Sequence, residues 1–287
     1  MIRIGLILSI TIIIFIPACR NSRNLQTKNA AFFQYQPGKA AAISAHRGGG
    51  NYKGYPENCI ESFAWLANQM PVTIECDINM SKDSVLLMMH DDTYNRTTNG
   101  FGKIVDSSFA YSQTLLLKDN FGNLTQYQIP TLQQVLVWGK GNVTFTLDVK
   151  RNVPIEKVVA MVQQYKAQSY AAIITYNAQD AAKVYQLDKE VMISVTIRNE
   201  EEYNRHKDLG IPDNRMIAFV GTREPNSEWL QILHSKGIRC ILGTMGNLDK
   251  MAASRGDSLY QTWFNAGADM MSTDRPLEAW RVVGGQK

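Results

Sequence analysis

Short β-branched, apolar runs alternate with longer amphipathic stretches from residue 41 to the end of the chain. This alternation limits the possible folds more than any other feature. Strand-like runs fall at about 41–46, 72–78, 143–149, 171–175, 191–197, 216–220, 239–242 and 269–273. Helix-like segments lie at 57–69, 131–139, 155–168, 178–188, 199–208, 226–236, 249–266 and 276–283. Such a series predicts parallel β/α units. The pattern suits an α/β protein, a closed (β/α)8 TIM barrel at residues 39–287, with a doubly wound open sheet as the alternative. A barrel carries its chemistry at the C-terminal ends of its strands.

The second unit is irregular. About fifty residues separate the strand at 72–78 from the helix at 131. Val85 to His90 reads as one more strand segment, and residues 92–128 are polar and turn-rich. A loop this long in a compact domain is usually functional or disordered. We expect an insertion after the second barrel strand, overhanging the barrel mouth.

The N-terminus reads separately. A short basic start precedes Ile4 to Ile16, a mostly apolar run too short for a comfortable membrane span. It suits the apolar core of a signal peptide covering residues 1–18. The run ends in Ile16-Pro17-Ala18-Cys19, similar to the lipobox of bacterial lipoproteins, and that resemblance implies lipidation of Cys19. An uncleaved N-terminal anchor is the alternative. Either reading implies an exported protein, in the periplasm or at the cell surface, held to a membrane. Residues 19–38 read as a linker.

The formal charge of +4 over 287 residues is mild, and no Lys/Arg run is interleaved with aromatics, so nucleic acid is not an expected partner. Beyond Cys19, three widely spaced cysteines (Cys59, Cys76, Cys240) form neither a zinc motif nor a disulfide framework, and core packing is expected of them.

The strand "VTIECDI" holds two carboxylates, Glu75 and Asp77, on one face, because strand side chains alternate. In "VTFTLDVK", Val143, Phe145, Leu147 and Val149 point outward to helices. Thr144, Thr146, Asp148 and Lys150 point inward. Three carboxylates thus converge on one mouth. Pairing with Lys or Arg would explain them structurally; oxygen-only ligands also suit a hard divalent cation, Mg²⁺ or Ca²⁺. His46 and His90 close two strand-like runs, where an imidazole can act as general acid or base. His206 and His234 fall near helix C-termini, the ordinary place for a satisfied surface histidine. Arg47 and Lys150 add fixed positive charge suited to phosphate oxygens.

The segments "HRGGGNYKGYPENCIESF", "ECDINMSKDSVLLMMHDDTYNRTTNGFGKI", "IPTL", "LDVK" and "GADMMSTDRP", in this order from residue 46 to 276, resemble the motifs of glycerophosphodiester phosphodiesterases. The resemblance implies a TIM barrel and metal-dependent hydrolysis of glycerophosphodiesters to glycerol 3-phosphate and an alcohol. It implies that His46 and His90 are catalytic acid/base groups and that Arg47 and Lys150 contact the phosphate. By the same resemblance, Glu75, Asp77 and Asp148 are metal ligands, and Glu57 and Asn58 of "PEN" brace the site. Helix capping is the plainer reading of the last two. Two departures stand out. Asp148 replaces the commoner Glu, and "RCILGTMGN" has Gly243 near the position where many relatives place a Trp. Met245, Tyr176 and the insertion are then candidates to line the alcohol side. Two other functions fit the same residues less closely: a related phospholipase acting on lysolipid or intact lipid, and a non-catalytic lipid- or ligand-binding lipoprotein.

Overall fold

The computed structural model describes residues 30–49 and 51–284. Its strands are β1 (Ala42–Ala45), β2 (Thr73–Met80), β3 (Leu86–Met88), β4 (Leu116–Lys118), β5 (Leu124–Gln128), β6 (Thr144–Val149), β7 (Ala171–Thr175), β8 (Met192–Thr196), β9 (Met216–Phe219), β10 (Arg239–Gly243) and β11 (Met270–Thr273). Its helices are α1 (Ile60–Gln69), α2 (Phe109–Ser112), α3 (Leu132–Gly139), α4 (Ile155–Gln164), α5 (Ala178–Leu187), α6 (Glu200–Asp208), α7 (Ser227–Ser235), α8 (Asn247–Arg255), α9 (Leu259–Asn265) and α10 (Pro276–Val283). The strands β1, β2 and β6–β11 pair in parallel, and β1 bonds both β2 and β11, which closes the barrel. This is the TIM barrel that the alternation predicts, and the open sheet is excluded.

The alternation within strands sorts the core into layers. Ile74, Cys76, Phe145 and Leu147 face the helices in the main apolar cluster. Inside, the lower part of the barrel is filled by Ala172, Met192, Ile217, Ile241 and Met270 around the fully buried Phe33. Phe33 belongs to a short 3-10 turn, Ala30–Phe33, and Gln34 bridges to Ile238. The last part of the segment read as a linker therefore packs as a plug of the barrel floor. The folded unit begins before residue 39, because a phenylalanine there fills space that the small Ala172 leaves. The segment read as a signal peptide, 1–18, and Cys19 lie outside the described residues.

Two further expectations change. The segment read as one helix over 249–266 is broken into α8 and α9 at Gly256, whose φ of 118° is open to glycine alone. The helix expected from residue 57 starts at Ile60, because Asn58 takes a φ of 56° and turns away from helical geometry. Neither Glu57 nor Asn58 caps α1; its N-cap is Cys59, with no side-chain cap bond.

The insertion is folded rather than loose. Beyond Ile74, the last β2 residue paired with β1, β3 pairs antiparallel with the outer half of β2, Ile78 opposite Met88. The β4–β5 hairpin and α2 then pack around Cys59, Leu87, Met89, Tyr94, Ile104, Leu115, Leu117 and Ile129. The polar, turn-rich sequence hides this small core because its apolar residues are spread from Cys59 to Ile129. Cys59, Cys76 and Cys240 are buried and unpaired, as expected of core residues. No helix among the described residues is long and apolar enough to cross a membrane.

Candidate active site

The adjacent strands β2 and β6 bring the acidic residues together. Asp77 and Asp148 are register partners, and Glu75 lies two residues below Asp77 on the same face. Carboxylate oxygens of the three lie within 4.8 Å of one another, and all three residues are buried. Three such charges repel strongly unless cations intervene. Lys150 is one: its Nζ lies 2.6 Å from Asp77 Oδ1 and 2.7 Å from Asp148 Oδ2. Tyr176 donates its hydroxyl to the other Asp148 oxygen at 2.7 Å. Asn58 holds Asp77 twice, donating Nδ2 to Oδ2 at 2.7 Å and accepting the Asp77 backbone N–H at 2.9 Å.

Glu75 has less cover. It accepts the Arg47 backbone N–H at 2.8 Å, an amide aimed there by the left-handed Arg47 backbone, φ 53°. A non-glycine residue in that region costs about 1–2 kcal/mol, which marks a constrained position. Burial, then the Asp77 charge, raises the Glu75 pKa well above the carboxylate range. Burial alone would raise Asp77 too, but Lys150 and the Asn58 bond outweigh it and leave that carboxyl below its usual value. The donor set is all oxygen and closely spaced, and among the described residues no Lys or Arg forms an ion pair with Glu75. This fits a hard divalent cation, so the cluster could hold one.

Both strand-end histidines reach this mouth, and each is backed by a carboxylate. His46 Nδ1 lies 2.7 Å from Asp274 Oδ1, and His90 Nδ1 lies 2.8 Å from Asp91 Oδ1. Burial would raise Asp274, but the His46 bond outweighs it, and Arg96 holds Asp91 far below the usual range. Both partners are therefore ionised acceptors. Nδ1–H is the donor in each histidine, leaving Nε2 for chemistry. For His46, burial disfavours the charged ring, yet Asp274 and Glu75 overcome it and raise its pKa.

The positive groups are tied to the same frame. Arg47 Nη1 donates to Glu57 at 3.3 Å and 3.4 Å, and its Nε is buried with no hydrogen-bond partner among the described residues, 3.9 Å from Asp77. Glu57 also takes a forked pair from Arg96 at 2.7 and 2.9 Å, and Arg96 forks again onto Asp91 with two 2.8 Å bonds. The structure thus brings His46, Arg47, Glu57, Asn58, Glu75, Asp77, His90, Asp148 and Lys150 to one mouth. Sequence reasoning missed Asp274, Asp91 and Arg96. The first lies in "TDRP" and the others in "HDDTYNR", beside residues already singled out.

The neighbouring cavity, about 160 Å³, is bounded by His46, Glu75, Asp148, Tyr176, Phe219 and Met245. Tyr176 and Met245 line it, whereas no described insertion residue does. Gly243 has its reason in Phe219: a Cβ there would meet the Phe219 ring at 2.7 Å. The other two histidines are satisfied but not at the surface. His206 is buried with Nδ1 2.7 Å from the Glu202 carbonyl, and His234 pairs with Asp269 at 2.9 Å under a stacked Tyr35.

A closed β/α barrel that gathers two carboxylate-backed histidines beside a buried acidic trio at its mouth has the arrangement of an enzyme active site. The comparisons with known proteins narrow this. The model of the glycerophosphoryl diester phosphodiesterase family matches residues 46–239, and the chain belongs to that family. A solved glycerophosphoryl diester phosphodiesterase from Parabacteroides distasonis is 34% identical over 89% of this chain and 90% of its own, with a TM-score of 0.84. A glycerophosphodiester phosphodiesterase from Caldanaerobacter subterraneus is 29% identical over 142 residues, 47% of this chain and 58% of that protein's length. A phosphodiesterase from Oleispira antarctica, solved with the product sn-glycerol 3-phosphate, shares the fold at 18% identity, with a TM-score of 0.70 over 90% of this chain and all of its own.

Proposed function

We propose that this protein hydrolyses glycerophosphodiesters to glycerol 3-phosphate and an alcohol, with His46 and His90 as the proton-transfer pair. The observation that carries the reading is the pairing of each Nδ1 with a carboxylate, which fixes two imidazoles beside the acidic trio. One Nε2 takes the proton of the attacking oxygen, from water or from the glycerol 2-hydroxyl, and the other protonates the departing alkoxide oxygen; a cyclic phosphate formed by the second route is then opened by water to glycerol 3-phosphate. Lys150 and the Arg47 guanidinium hold non-bridging phosphate oxygens, the second with a buried Nε that lacks a hydrogen-bond partner among the described residues. Asn58 keeps Asp77 in place, and Glu57 keeps Arg47 in place. Glu75, Asp77 and Asp148 are the groups that would hold Mg²⁺ or Ca²⁺, which when bound stabilises charge developing on the phosphate.

Purified protein should release glycerol 3-phosphate from glycerophosphoethanolamine with Mg²⁺ or Ca²⁺ and lose that activity in EDTA. His46→Ala and His90→Ala should lower turnover at least about 100-fold. Near-wild-type rates in either variant, or no release with either metal, would overturn the reading. From the apolar run before Cys19, we further propose an exported lipoprotein with its folded unit near a membrane. Failure of wild type to incorporate radiolabelled palmitate, with Cys19→Ser as control, would end that proposal.

A further inference from the structure

Among the described residues, Arg96 is the one side chain that bonds to both Asp91 and Glu57, and so touches both halves of the proposed machinery. Its guanidinium donates Nε and Nη2 to Asp91, the carboxylate behind His90, and Nη1 and Nη2 to Glu57, the carboxylate behind Arg47. All four bonds are between 2.7 and 2.9 Å, short and charge-assisted, the forked geometry that only an arginine provides. The segment that presents Arg96 is itself fixed. Tyr94 is fully buried with its hydroxyl on Ser112 at 2.7 Å, and Thr98 Oγ1 donates to the Tyr94 carbonyl at 2.7 Å. Asp91 is fixed from the barrel as well, since Asn79 Nδ2 donates to its backbone carbonyl at 3.1 Å.

We propose that Arg96 is a positioning residue for the hydrolysis argued above: through Asp91 it sets the orientation and tautomer of His90, and through Glu57 it sets the reach of Arg47. The proposal rests on that reading of the site and gives the insertion a task within it. The charges explain why one residue suffices. Glu57 and Asp91 are two anions served by Arg47 and Arg96. Without Arg96, buried Glu57 must draw on Arg47 alone and pulls it from the phosphate side. Asp91, without its fork, is free to turn away from His90 Nδ1. Substrate binding and proton transfer then suffer together, although Arg96 touches neither substrate nor cation.

A purely structural role, tying the insertion to the barrel, makes a different prediction, and the full-length protein separates the two. Arg96→Gln keeps hydrogen bonding without charge, and Arg96→Lys keeps charge without the fork. Both variants are compared with wild type for kcat and KM on glycerophosphoethanolamine, and for histidine side-chain ¹⁵N resonances, His90 being assigned with His90→Gln. Loss of alignment by about 1 Å costs about 100-fold, so kcat/KM should fall by that order in Arg96→Gln, with kcat reduced and KM raised, and recover only partly in Arg96→Lys. The ¹⁵N signature of a fixed Nδ1–H tautomer should disappear for His90 and persist for His46, which also reports that the fold is kept. Unchanged His90 resonances, or kcat/KM within threefold of wild type in Arg96→Gln, would overturn the proposal. If wild type proves silent on glycerophosphodiesters, the function reading fails on its own. The His90 spectrum still decides whether Arg96 governs that ring.

Discussion

His46 Nδ1 and Asp274 Oδ1 meet at 2.7 Å across 228 residues of sequence, at the closing seam of the barrel where β1 lies against β11. The carboxylate is itself held in position. The Asp274 backbone N–H donates to Asp249 at 2.8 Å, and Asp249 is further bound by Tyr260 and Thr273. Burial opposes charge on His46, and the Asp274 bond is the largest influence that reverses it. Asp274→Asn removes the anion and keeps the shape. The His46 pKa should fall, so the limb of the kcat/KM–pH profile that His46 governs should move to lower pH. Turnover should drop by about 100-fold as the tautomer is no longer fixed. A profile unmoved by this substitution would detach Asp274 from the chemistry.

Tyr176 is 64% exposed, yet its hydroxyl donates to Asp148 at 2.7 Å. Tyr176 and Lys150 together fix both Asp148 oxygens. Partners that orient a metal-ligating carboxylate are typically worth about 10–100-fold in affinity. Tyr176→Phe should therefore weaken Mg²⁺ or Ca²⁺ binding, measured by calorimetry, by about that factor, with little change in thermal stability. Unaltered affinity would leave Tyr176 as a wall of the cavity and nothing more.

Sequence and structure agree where local pattern and burial act together. Period-two alternation placed Asp77 and Asp148 on the interior face, and they are register partners. Arg96 and Asp274 were not legible as working groups because nothing local distinguishes a solvated charge from one whose partner arrives from a distant loop. Arg96 meets Glu57 from 39 residues away, and Asp274 meets His46 only once the barrel closes. Phe33 failed for the opposite reason. Its neighbours, Ala30 to Tyr35, are mostly small and aromatic with neither strand nor helix periodicity, and only the small Ala172 on the barrel floor reveals what it fills. Gly256 was visible in "SRGDS", but a lone glycine does not by itself decide between a tolerated helical residue and a break.

Gly243 and Phe219 form a matched pair on adjacent strands, because a Cβ at 243 would lie 2.7 Å from Phe219 Cζ and 2.9 Å from Thr222 Cγ2. Overpacking of this kind costs about 1–3 kcal/mol. Gly243→Ala should lower the urea midpoint accordingly. Phe219→Leu should relieve part of the loss in the double variant, giving a coupling that single substitutions do not show. Strict additivity of the two would mean that Thr222 or the backbone, rather than the ring, is the obstacle.

His206 offers a pH test of stability away from the site. It is 5% exposed, its Nδ1 bonds to the Glu202 carbonyl at 2.7 Å, and burial lowers its pKa below 6.5. A base whose pKa is lower in the folded chain binds fewer protons there than in the unfolded chain. Its contribution is then complete above about pH 6.5 and is lost as pH falls from that value through the folded pKa. Urea midpoints of the wild type should therefore decline from pH 7.5 to pH 5. His206→Gln, which can donate to the same carbonyl without titrating, should decline less over that interval. An equal decline in both proteins would assign the acid sensitivity to other groups.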